Sequence, residues 1–214
     1  MSARVRVKIC GITNRADAVA AAFLGADALG FNLFPGSKRY IDLDENAGWI
    51  SALAPFVTRV AVLVNAPLDE ARRIALHPAI DLVQLHGDED ADYCARFAES
   101  GYPFIKALRI RNSDDIPCVG KYSTSSVLID AHMPGAYGGT GAAIDLELGR
   151  EIVTRHPDLH ILLAGGLTPA NVADAVHIVR PFAVDVASGV ERDPRRKDAP
   201  LMTAFIEATR RGAA

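Results

Sequence analysis

Ile161-Leu162-Leu163-Ala164-Gly165-Gly166-Leu167 is an apolar run that breaks into two glycines. Further along, Phe182-Ala183-Val184-Asp185-Val186-Ala187-Ser188-Gly189-Val190 is a second run, ending in Ser-Gly. Thr168-Pro169-Ala170-Asn171 opens a helical stretch between them. Each segment alone reads as a tight βα turn. In tandem, as the last two such units of the chain, they match the closing strands of a (β/α)8 TIM barrel whose loops hold a phosphate. Glycines let the backbone approach closely, and N–H groups at a loop or short helix start bind the dianion without a lysine. Gly165, Gly166, Ser188 and Gly189 are therefore the expected phosphate site.

Working backwards from these segments, short apolar runs alternate with helical patterns through the chain. Strands are expected near 5–9, 28–33, 58–64, 80–85, 103–107, 126–130, 160–164 and 183–187. Helices are expected near 15–25, 44–54, 68–76, 89–100, 112–118, 145–155, 170–179 and 197–210, the fifth shortened by Pro117 and Gly120. Strict alternation is the pattern of a parallel α/β sheet closed on itself. No G-x-G-x-x-G follows the first strand, which argues against an open dinucleotide-binding sheet. No Pro/Gly/Ser tract divides the chain, so residues 1–214 are expected to form one barrel domain.

Composition narrows the function classes. A 50% hydrophobic chain of 214 residues can bury a barrel core. A net charge of −3 and a pI near 6.1 do not suggest a nucleic-acid or membrane-surface partner. The N-terminus lacks the apolar core of a signal peptide, and no stretch has the ~18 consecutive apolar residues of a membrane span. Three widely spaced cysteines, Cys10, Cys94 and Cys118, fit a reducing, cytoplasmic setting better than a disulfide framework. The histidines lack metal-ligand spacing, so no metal is expected, and no redox cofactor is expected either. His156 and His160 are four apart, but Pro157 keeps them off one helical face.

The first strand carries the first chemical candidate. Val5, Val7 and Ile9 alternate with Arg6, Lys8 and Cys10. If the apolar set faces the helices, Lys8 and Cys10 lie inside the barrel, ~7 Å apart on one face. Cys10 then ends the strand at the rim where barrel sites form. A neighbouring ammonium would favour the thiolate that an acid–base cysteine needs. Cys94, in an amphipathic helical pattern, reads as a buried hydrophobe. Gln84 and His86 lie at the end of the fourth strand, and His86 is a candidate for the pocket lining.

An ordered set of strings resembles the phosphoribosylanthranilate isomerase family of tryptophan biosynthesis. It comprises Val7-Lys8-Ile9-Cys10-Gly11-Ile12-Thr13, Leu29-Gly30-Phe31 with Ser37-Lys38-Arg39-Tyr40, Leu82-Val83-Gln84-Leu85-His86-Gly87 and Leu128-Ile129-Asp130. Gly138-Gly139-Thr140-Gly141, Leu163 to Val172 and Val184 to Glu191 complete it. The resemblance implies an Amadori rearrangement of a small phosphorylated aminoaldose, N-(5-phosphoribosyl)anthranilate, by a monomer or homodimer. It implies Cys10 as general base, Asp130 as general acid and Arg39 as the partner of the anthranilate carboxylate. Asp185 has two readings, a hydrogen bond to a ribose hydroxyl or an internal pair with Lys8. The glycine-rich segment within 131–143 resembles a lid. Two departures from the family pattern stand out: Lys38 replaces the commoner proline before Arg39, and Ile144-Asp145-Leu146 stands where aromatics are usual. Other phosphate-binding barrels and a catalytically silent barrel are the competing classes. A two-phosphate isomerase would show a second glycine-rich site in its first half, and a ring-closing synthase would use a catalytic lysine.

Overall fold

The computed structural model describes residues 4–131 and 145–213. Eight parallel strands close into a barrel: β1 (Arg6–Cys10), β2 (Ala28–Asn32), β3 (Thr58–Leu63), β4 (Leu82–Leu85), β5 (Phe104–Ile110), β6 (Ser126–Ala131), β7 (His160–Leu163) and β8 (Ala183–Val186). Closure is made by β1 against β8, with Lys8 opposite Asp185 in the register. Helices α1 (Arg15–Leu24), α2 (Leu43–Ser51), α3 (Leu68–Ala75), α4 (Ala91–Ala98), α5 (Leu146–Arg155), α6 (Val172–Val179) and α7 (Ala199–Gly212) follow their strands. The (β/α)8 architecture expected from the alternation is therefore present.

The connection after β5 differs from the expected α-helix. Ser113–Lys121 winds as a 3-10 helix with Pro117 inside it. In an α-helix the Pro117 ring would clash with the carbonyl four residues back, at Ser113, so the α winding is disfavoured in this short segment. A small antiparallel hairpin, β9 (Glu191–Asp193) with β10 (Arg196–Lys197), was not expected. It occupies the stretch before α7 and returns to the barrel mouth. The lid candidate Gly138–Gly141, with His132 and Ile144, lies outside the described residues. Asp145 caps α5, its carboxylate accepting from the Glu147 and Leu148 N–H groups. Among the described residues, no helix is long and apolar enough to cross a membrane.

Side-chain alternation sorts the sheet into two faces. Val7 and Ile9 of β1 join the large core between sheet and helices, as do Val127, Ile129, Val184 and Val186. Ile105, Ala107, Leu128, Leu162, Ala164 and Ala183 fill the barrel interior. At its base the Arg6 guanidinium stacks over the Phe182 ring at 4.1 Å, and His160 packs against the same ring. Interior positions nearer the C-terminal rim are polar: Lys8, Gln84, Asp130 and Asp185 are all buried. A barrel whose lower interior is apolar and upper interior polar has its chemistry assigned to one end.

A second buried ion pair lies outside the barrel wall. Lys106 points away from the interior, its neighbours Ile105 and Ala107 pointing in. Its Nζ donates to Glu89 Oε2 at 2.7 Å and to the carbonyl of Gly87 at 2.9 Å. Glu89 also accepts from the N–H groups of Asn65 and Gly87. Lys106→Met would leave the Glu89 carboxylate buried without its cation. Urea unfolding should show a loss of about 3–5 kcal/mol. Adding Glu89→Gln should recover much of it, because the backbone donors keep an acceptor. A single-variant loss below about 1 kcal/mol would show that the pair does not stabilise this region.

Candidate active site

The C-terminal ends of the strands open into a cavity of roughly 670 Å³. Its walls include every site residue expected from the sequence: Cys10, Arg39, Asp130, Gly165, Gly166, Asp185, Ser188 and Gly189. Cys10 is the last residue of β1 and Asp130 the penultimate residue of β6, so they approach from different parts of the rim. His86, one residue past β4, also lines it, as do Asn32 at the end of β2 and Phe34 beyond it. The volume is that of a site for one small molecule.

The two glycine loops lie against each other. Gly165 and Gly166 have φ of +89° and +60°, left-handed backbone that favours glycine. A Cβ on Gly189 would fall onto the Leu167 carbonyl oxygen, so this glycine is required by loop-on-loop packing. Asn171 fastens the first loop, its side chain accepting from the Thr168 N–H at 2.7 Å and donating to the Gly166 carbonyl at 3.0 Å. Among the described residues, nothing accepts from the N–H groups of Gly165, Gly166, Ser188 or Gly189. The result is a patch of backbone donors suited to an anion.

Asp185 pairs with Lys8 and also lines the cavity. Lys8 Nζ donates to Asp185 Oδ1 at 2.6 Å, with both side chains almost fully buried. Burial pulls the Lys8 ammonium down, but Asp185 and then Cys10 outweigh it and hold it above its usual range. The effect on Cys10 differs from the sequence reading. Burial is the largest influence and pushes the thiol up, Lys8 and Lys197 pull it down, and Asp185 pushes it up again. The ammonium acts in the expected direction but is already paired with a carboxylate. Burial therefore wins, and the thiol rests above its ordinary value.

Arg39 reaches the cavity despite Lys38 in place of proline. The Ser37 hydroxyl accepts from the Arg39 N–H at 3.1 Å, and the Ser37 carbonyl accepts from the Tyr40 N–H at 3.1 Å. These turn contacts fix the loop where a proline ring would otherwise stiffen it. The Arg39 guanidinium meets Glu191 through two hydrogen bonds of 2.7 Å. That contact holds the guanidinium above its usual value. Burial pushes the Glu191 carboxyl up, but Arg39 and Lys197 together overcome it and keep it below the usual range. Lys197 Nζ donates to Glu191 Oε1 at 2.8 Å and to the Ala187 carbonyl at 2.9 Å. Burial lowers Lys197. The sequence assigned no role to either residue. Glu191 ends the last matched string, and Lys197 sits in a charge-rich run that reads as solvated.

His86 Nδ1 is 2.6 Å from the Gln84 amide nitrogen, and its Nε2 is 3.7 Å from Asp130 Oδ2. The amide donates to Nδ1 when the ring proton is on Nε2, which then faces the carboxylate. In that tautomer both contacts are attractive.

The geometry agrees with comparisons to known proteins. Residues 7–208 match the family described as N-(5'phosphoribosyl)anthranilate (PRA) isomerase. The N-(5'-phosphoribosyl)anthranilate isomerase of Trichlorobacter lovleyi is 45% identical over 202 residues, covering 94% of this chain and 96% of that protein. One from Pseudomonas fluorescens is 44% identical over 209 residues, covering 97% and 96%. The crystal structure of phosphoribosyl anthranilate isomerase from Thermotoga maritima superimposes with a TM-score of 0.86 at 39% identity, covering 96% of this chain and 98% of that one. A solved structure of the isomerase in complex with reduced 1-(o-carboxyphenylamino)-1-deoxyribulose 5-phosphate gives 0.83 at 38% identity, covering 96% and 98%. The chain belongs to the N-(5'-phosphoribosyl)anthranilate isomerase family.

Proposed function

We propose that this chain catalyses the Amadori rearrangement of N-(5-phosphoribosyl)anthranilate to 1-(2-carboxyphenylamino)-1-deoxyribulose 5-phosphate, an isomerisation step of tryptophan biosynthesis. The observation that carries the reading is the family match together with one cavity that gathers Cys10, Asp130, Arg39 and both glycine loops. All of these groups come from one chain, so a monomer has the whole set and a homodimer would have two. Three free cysteines fit a reducing cytoplasm.

In this reading the phosphate sits on the N–H groups of Gly165, Gly166, Ser188 and Gly189. The anthranilate carboxylate meets the Arg39 guanidinium, a planar fork matched to two oxygens. Asp130 gives a proton to the furanose oxygen, and the ring opens to a protonated imine. Cys10, as thiolate, takes the C2′ proton, leaving an enolamine that tautomerises to the ketose. The sugar's C1′ is reduced and its C2′ oxidised within one molecule, so no external oxidant or reductant enters. His86 lies beside Asp130, where a ring N–H supports the carboxylate that remains after proton donation.

Loss of anthranilate-type fluorescence as freshly made phosphoribosylanthranilate is consumed tests the reading directly. No loss with the intact protein would overturn it. Cys10→Ala and Asp130→Asn should fold and bind but lose turnover by about 10²–10⁴-fold each. A Cys10→Ala protein with near-normal kcat/KM would remove the thiol from the chemistry.

The raised thiol has its own consequence. The rate of Cys10 alkylation by iodoacetamide follows the thiolate fraction, so it should climb with a midpoint above about 8.5, the ordinary thiol value. Lys8→Met should move the midpoint higher, because burial and Asp185 both remain to push the thiol up. A midpoint below that value in the unmodified protein would show that the lysines outweigh burial.

A further inference from the structure

We propose that Glu191 is the positioning residue for Arg39: it takes one edge of the guanidinium and leaves the other turned to the cavity for the substrate's ring carboxylate. The proposal rests on the function argued above and deepens it, naming what makes the site selective for a carboxylated aryl group.

The geometry is specific about which edge is taken. Glu191 Oε1 accepts from Arg39 Nε and Oε2 from Nη2. A guanidinium carries five N–H donors in a rigid plane, arranged as a side fork and an end fork. The side fork is filled. Among the described residues nothing accepts from Nη1, and Arg39 lines the cavity. The end fork, formed by Nη1 and the outer N–H of Nη2, matches a second carboxylate.

Charge accounts for why a carboxylate placed against Arg39 does not cancel it. Glu191 is shared with Lys197, whose ammonium is 2.8 Å from Oε1 and whose side chain is 1% exposed. Two cations and one anion leave the cluster with an excess positive charge beside the cavity. The hairpin holds this arrangement. Lys197 Nζ also donates to the Ala187 carbonyl in the loop after β8, and the Lys197 N–H donates to Asp17 Oδ2 of α1 at 2.8 Å. The arginine stem is fixed from the other side. A Cβ on Gly11 would fall onto Arg39 Cδ, so Gly11, next to Cys10, provides the space the stem occupies. An arginine held at stem and head gives up little rotamer freedom when the ligand arrives.

The test uses two inhibitors, reduced 1-(2-carboxyphenylamino)-1-deoxyribulose 5-phosphate and its phenylamino counterpart without the carboxylate. Glu191→Gln removes the charge that orients Arg39 and should weaken the carboxylated inhibitor by about ten-fold or more. The counterpart should bind Glu191→Gln as it binds the unmodified enzyme. KM for the aminoaldose should rise while kcat stays within about three-fold, the signature of lost binding to a non-reacting part of the substrate. Glu191→Asp keeps the buried anion and its fold but withdraws it by a methylene. It should show a smaller loss with the same selectivity for the carboxylated inhibitor. Equal weakening of both inhibitors, or of neither, in Glu191→Asp and in any folded Glu191→Gln would overturn the proposal. Absence of turnover by the unmodified protein would instead overturn the function reading.

Discussion

Closure of the sheet between its first and last strands is the constraint on which the site depends. β1 and β8 are far apart in the chain, and their pairing sets Lys8 opposite Asp185. The 2.6 Å ion pair formed there is buried on both sides. Removing two charges from water costs several kcal/mol each, and only close, well-oriented contact offsets that cost. The seam keeps this pair because Cys10 ends the same strand that carries Lys8, and the Ser188–Gly189 loop follows the strand that carries Asp185. Any slip of one residue in this register would turn Lys8 and Cys10 outward into the apolar layer. One pairing therefore sets the barrel, the thiol and the anion loop together.

The mouth is less positively charged than a site for an anionic sugar phosphate would suggest. Lys8 is bonded to Asp185, and Lys197 is shared with Glu191. Charge alone would make a poor discriminator here. The recognition falls instead to donors with fixed directions: backbone N–H groups of two interlocked glycine loops and one arginine fork. Fixed donors lose little entropy on binding and act only on an anion of the right size and place. Interlocking matters to this. Gly189 packs onto the Leu167 carbonyl, so the loops after β7 and β8 shape one cradle rather than two independent turns.

The eight strands and seven of the helical segments were legible because burial on one or both faces imposes a period on the sequence. Apolar runs such as Val60–Val64 admit few other readings once glycine and proline mark their ends. The fifth connection was legible only as a short helix. Hydrogen-bond spacing, which separates a 3-10 winding from an α one, leaves no mark on hydrophobic period over nine residues. The hairpin from Glu191 to Lys197 was illegible for another reason. Its sequence, Glu-Arg-Asp-Pro-Arg-Arg-Lys, has the composition of a solvated loop, and the burial of its first and last residues is imposed by tertiary contacts alone. The thiol's surroundings were legible only in part: Lys8 does pull the Cys10 thiol down, but burial and Asp185 oppose it. Lys8 is a neighbour in sequence, whereas Asp185, which neutralises it, is a neighbour only after closure.

The pair outside the wall shows how stability and chemistry are coupled without sharing residues. Lys106 donates to the carbonyls of Leu85 and Gly87, the two residues that flank His86. Its ammonium is neutralised by Glu89, which in turn accepts from the N–H groups of Asn65 and Gly87. The loops after β3 and β4 are thereby tied to β5 from outside the barrel. The backbone on either side of His86 is fixed, and its ring is left to face inward toward Asp130. A histidine at the end of a strand has several rotamers open to it. Here the Gln84 amide lies against its Nδ1, the Lys106 clamp holds the backbone behind it, and the ring lines the cavity. The cation that orients this part of the site touches nothing inside it, because the interior at that level must stay open for a ligand.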